Sequence, residues 1–118
     1  MRIVVVLSAL LAVALGAPAA QAHAHLDHAS PLAGSTVSPA PSEVSLFFTQ
    51  NLEPAFSTAV VTDSTGADVG QGKAQVSGNT MRVALKPLGP GTYKVNWHAL
   101  SVDTHTTEGA FTFNVGGP

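Results

Sequence analysis

Two stretches of strict alternation constrain this chain most. In Gly91-Thr-Tyr-Lys-Val-Asn-Trp97, the side chains of Tyr93, Val95 and Trp97 share one face, and Lys94, Asn96 and His98 take the other. Ala110-Phe-Thr-Phe-Asn-Val115 repeats the pattern, with Phe111, Phe113 and Val115 opposite Thr112 and Asn114. A period of two marks a half-buried strand, because successive side chains leave a strand on opposite faces. Glu43 to Thr49 and Thr58 to Thr62 are rich in strand formers, and Thr80 to Leu85 alternates. Turn chemistry separates these segments at Gly34-Ser35, Pro39-Ala-Pro41, Ser64-Thr-Gly66, Ser77-Gly-Asn79 and Gly89-Pro-Gly91. No window of helical length carries a 3.6-residue apolar stripe. Short strands at this spacing predict an all-β domain, either a β-sandwich or a small Greek-key barrel.

The first residues follow other rules. Met1-Arg2 gives a positive start, Ile3 to Leu15 an apolar run, and Gly16 and Pro18 break it. Ala20 and Ala22 are the small residues a signal peptidase selects, so residues 1–22 read as a cleaved secretory signal peptide. The run is too short to be a membrane anchor, which needs roughly 20 apolar residues. Ala22-His-Ala24 also permits a cut before His25, but a histidine between the alanines makes it the weaker site. Cleavage before His23 leaves residues 23–118, one small domain, in the periplasm or another extracytoplasmic space. That compartment permits disulfides, yet the chain has no cysteine, so packing must hold it together, with help from a metal. Without Arg2, four of the five Lys and Arg residues remain against seven Asp and Glu, a net charge near −3. Lys73, Arg82, Lys86 and Lys94 are scattered, which excludes nucleic acid and stable association with an anionic membrane.

Cleavage also creates chemistry. A histidine at a free N-terminus offers its α-amine and its imidazole, and the two together chelate one metal ion. Asp103-Thr-His105 can add an oxygen and a nitrogen, since residues i and i+2 of an extended segment project to one side. D-x-H alone is a weak motif, most often a turn cap beside a solvated histidine. Joined to His23 it makes three nitrogens and one oxygen, a set suited to the tetragonal preference of Cu(II). There is no thiolate for zinc or Cu(I).

The segments His23-Ala-His-Leu26, Ala29-Ser-Pro31, Phe48-Thr-Gln-Asn-Leu52, Gly91 to Val95, Trp97, Ser101-Val-Asp-Thr-His105 and Gly109 to Val115 together resemble the CopC family of exported copper-binding proteins. The resemblance spans nearly the whole mature chain. It implies an immunoglobulin-like Greek-key β-sandwich and Cu(II) held by the amine and imidazole of His23, with Asp103 and His105, in a histidine brace. It also implies a CopD-type copper-transporting membrane protein as partner, and a role in copper homeostasis or resistance. Two departures matter. Some members place a carboxylate where this chain has Gln50, so Gln50 is left out of the ligand set. Others carry a Met-rich loop for Cu(I), whereas Ser57 to Val76 has no methionine. Met81, the one methionine after the leader, reads as core filler. The chain therefore resembles the Cu(II)-only members.

Other residues compete for a role. If His23 is residue one, His25 is residue three, the position used by the amino-terminal Cu/Ni motif with two deprotonated backbone amides. Strand pairing of residues 24–30 would occupy those amides. His28 and His98 read as surface residues, Glu108 as solvated and Trp97 as core. The chain is not expected to be an enzyme. The alternative is a histidine-brace copper oxidase of the kind that cleaves polysaccharides, but such enzymes need an open equatorial position that Asp103 would fill. A metal-free interaction module fits the histidines least.

Overall fold

The computed structural model describes residues 24–117, so the leader, residues 1–22, and His23 lie outside the described residues. The two alternating stretches are the long partners of one hairpin. β7 (Gly91–Leu100) and β8 (Thr106–Val115) pair antiparallel without a break from Gly91 opposite Val115 to Leu100 opposite Thr106. Their inward faces are those expected. Tyr93 and Val95 are buried opposite Phe113 and Phe111, while Lys94, Asn96 and His98 are exposed. Tyr93 stacks on Phe113 with ring centroids 5.6 Å apart, and its hydroxyl donates to the Gly89 carbonyl at 2.6 Å.

The remaining elements are β1 (Leu26–Ser30), β2 (Thr36–Val37), β3 (Glu43–Phe48), β4 (Thr58–Thr62), β5 (Gln75–Ser77) and β6 (Thr80–Ala84), with a 3-10 turn at Pro54–Phe56. One sheet has the order β1-β3-β6-β5 and the other β2-β8-β7-β4. Every pairing is antiparallel except β2 with β8. This is an all-β sandwich of immunoglobulin-like, Greek-key type.

Between the sheets, Val44, Leu46 and Phe48 of β3 meet Met81 and Val83 of β6, Val61 of β4, Val95 of β7 and Phe113 of β8, all almost fully buried. Burying a side chain of this size stabilises the fold by about 1.5–3 kcal/mol, which is how a domain without disulfides holds together. Met81 lies in this core at 0% exposure. Trp97 sits edge-on to Phe48, centroids 5.1 Å apart, a pairing worth about 0.5–1.5 kcal/mol. Its indole also lies across Gly109, its partner on β8. A Cβ at that position would stand 2.7 Å from the ring, so only glycine fits.

One end of the sandwich gathers three segments. The β3–β4 connection pairs with the β7–β8 turn at Leu52 and Ser101. The Glu53 amide donates to the Leu100 carbonyl at 2.8 Å, and the Val102 amide to the Asn51 carbonyl at 3.1 Å. The start of the described chain joins them, with Ala24 and Leu52 buried in the same apolar cluster as Phe48 and Ala99.

Candidate metal centre

Asp103 and His105 stand on the turn between β7 and β8. The expectation of an extended segment does not hold here. Residues 101–105 fold back instead, with the Ser101 amide donating to the His105 carbonyl and the Thr104 amide to the Ser101 carbonyl, both at 2.9 Å. Thr104 takes a left-handed φ of 76°, rare for a residue with a β-branch. That reversal, and not strand pleating, brings His105 Nδ1 to 3.4 Å from Asp103 Oδ1. Both side chains remain open to solvent, about two-fifths exposed or a little more.

Ser101 anchors the turn from below. It is fully buried, its hydroxyl donates to Asp103 Oδ1, and its Oγ accepts the His105 amide at 3.3 Å. The hydrogen bond from Ser101, aided by His105, holds the Asp103 carboxyl below the usual carboxylate range, against a smaller opposing effect of desolvation. An oxygen that stays ionised to low pH is ready to bind a cation.

The N-terminal segment is pinned beside this turn. The Ala24 carbonyl accepts the Thr107 hydroxyl at 2.6 Å, two residues beyond His105. His25 is held on both sides by Thr49, its amide donating to Thr49 Oγ1 and its carbonyl accepting the Thr49 amide, each at 2.9 Å. The amino-terminal Cu/Ni motif needs that His25 amide stripped of its proton and turned to metal, so it must break this clamp.

The other candidates sit elsewhere. His28 is exposed, stacks on Phe47 at 4.4 Å, and bonds Asp27 at 2.7 Å. His98 and Glu108 face each other across β7 and β8 on the outer face. Gln50 is half-buried beside Thr49. Among the described residues no three His, Asp or Glu side chains converge as a metal site, so Asp103 and His105 stand there as a pair. Reading the sequence missed Ser101, Thr49 and Thr107. Ser101 stood within the quoted motif, but nothing in its spacing reveals a buried hydroxyl.

A family model described as the CopC domain matches residues 26–116. The chain belongs to the CopC family. Among its relatives, the protein YobA of Escherichia coli (strain K12) is 37% identical over 111 residues, covering 91% of this chain and 90% of that one. Copper resistance protein C of Pseudomonas syringae pv. tomato is 42% identical over 105 residues, covering 81% and 82%. Among solved structures, CopC from Methylosinus trichosporium OB3b superposes with a TM-score of 0.75 at 34% identity, covering 80% of this chain and 95% of that one. The sandwich described above is thus the CopC fold. No helix among the described residues is long and apolar enough to cross a membrane.

Proposed function

We propose that the mature protein is an extracytoplasmic Cu(II) carrier that holds one ion through the His23 amine and imidazole, Asp103 and His105. The observation that carries this reading is the docking of Ala24 against Thr107. His23 directly precedes Ala24 in the chain, one Cα step of about 3.8 Å from a residue bonded to the strand that follows the Asp103–His105 turn, which supports His23 as the third residue of the ligand set. Two described ligands need partners, and an N-terminal histidine brings two nitrogens in one step. The donor set suits Cu(II): an ionised oxygen and nitrogens, with the one methionine of the described chain sealed in the core. The copper resistance named for its relatives agrees with this cargo.

Copper homeostasis is the role that follows, with a CopD-type membrane transporter as the partner that takes or gives the ion. The carrier is not an oxidase on this reading, because Asp103 as a ligand would take the place that oxygen needs. The deciding experiment is N-terminal mass determination with Cu(II) electron paramagnetic resonance (EPR) on the exported protein. One tight Cu(II) with a nitrogen-rich spectrum is expected. A version keeping one extra residue before His23 should lose affinity by orders of magnitude. Full affinity in the extended protein would show that the amine is no ligand.

A further inference from the structure

We infer that Ser101 is a positioning residue that decides which oxygen of Asp103 meets the metal, so that Asp103 binds through Oδ2 alone. This rests on the copper reading above. Ser101 is fully buried, and its hydroxyl donates to Asp103 Oδ1, with the His105 carbonyl a longer second acceptor at 3.2 Å. The same Oγ accepts the His105 amide at 3.3 Å, and the Ser101 amide holds the His105 carbonyl at 2.9 Å. One residue therefore ties the carboxylate of one ligand to the backbone of the other. His105 Nδ1 also lies 3.4 Å from Oδ1, so among the described residues both side-chain contacts of the carboxylate fall on Oδ1.

The consequence is coordination geometry. A free carboxylate can rotate and grip a cation with both oxygens. Here rotation would break the half-buried hydrogen bond from Ser101 and leave its hydroxyl only the longer contact to the His105 carbonyl at 3.2 Å, an exchange that costs stability. One oxygen with three nitrogens fills four places in a plane, the arrangement Cu(II) prefers, whereas a two-oxygen grip would crowd it. Outer partners of this kind orient ligands and tune affinity.

The test uses the exported protein with its N-terminus defined by mass, in Ser101→Ala, Ser101→Thr and Asp103→Asn forms. Ser101→Ala should lose about 10–100-fold in Cu(II) affinity and shift the EPR parameters. In the metal-free state its His105 amide should exchange faster, because the acceptor is gone. Ser101→Thr keeps the hydroxyl and should restore the wild-type spectrum. A structure of the copper-loaded wild type should show Asp103 bound through Oδ2, with Ser101 Oγ still on Oδ1. That structure decides the matter if Ser101→Ala does not fold. An altered Asp103→Asn with an unchanged Ser101→Ala, or a two-oxygen grip in the wild type, overturns the role of Ser101 alone. A silent Asp103→Asn overturns the copper reading itself.

Discussion

At the scale of single residues, the proposed ligands rank sharply against their neighbour. His105→Ala should remove a nitrogen and Asp103→Asn an anionic oxygen, each changing the Cu(II) EPR parameters. His25→Ala should leave them largely intact, because its backbone is clamped by Thr49 at 2.9 Å on both sides. The opposite ranking, His25 critical and His105 silent, would establish the amino-terminal amide motif. Gly109 makes a separate prediction about stability. Gly109→Ala drives a methyl to within 2.7 Å of the Trp97 ring, so the indole or the hairpin must shift. Such overpacking costs about 1–3 kcal/mol, readable as a fall in the thermal midpoint of the metal-free protein. An unchanged midpoint would mean that the ring moves aside freely.

At the scale of elements, legibility followed burial. β7 and β8 were readable in Gly91 to Trp97 and Ala110 to Val115 because one face of each enters the core. Their extension to Leu100 and from Thr106 was not, since Gly109 and the threonines before it break the apolar period. β2 and β5 escaped notice because each is an edge strand of two or three residues with little apolar content, while the strand considered over residues 24–30 begins at Leu26. The Asp103–His105 pair was found for a reason that proved incorrect: a left-handed Thr104 in a tight turn joins them, and no spacing rule announces such a turn. Thr107 was invisible because its partner, Ala24, lies 83 residues away. The turn after β4 offers its own test. Asp63 accepts the Thr65 hydroxyl at 2.6 Å and the Thr65 and Ala67 amides at 2.9 and 3.0 Å, which lower its pKa. A lowered folded pKa means the folded state binds fewer protons than the unfolded one. The resulting stabilisation is present above the ordinary carboxylate value and is lost as pH falls from there through the lowered folded value. Asp63 and Asp103 shift the same way, so the metal-free midpoint should hold from neutral pH and decline below about pH 4. Asp63→Asn should blunt the decline; an identical pH profile would exclude Asp63 as a cause.

At the scale of the whole molecule, the proposed ligand set limits what the protein could carry and do. With no cysteine in the chain and Met81 at 0% exposure, the described residues have no soft donors to offer Cu(I). A competition titration should show Cu(II) held far more tightly than Cu(I), and equal affinity would remove the Cu(II)-only assignment. Ascorbate with peroxide should yield no cleavage of chitin or cellulose above a free-copper control. Turnover that vanishes in His105→Ala would establish the enzyme in place of the carrier.

The bond between Ala24 and Thr107 also fixes an order of events. It joins the first described residue to the last strand of the sandwich, so it cannot form until nearly the whole chain is available. A polypeptide threading N-terminus first through an export pore therefore crosses without this contact. On the proposed ligand set it crosses empty, because neither the freed amine nor the seated hairpin exists on the near side. On that proposal loading would be confined to the far side of the membrane, and export would not double as copper efflux.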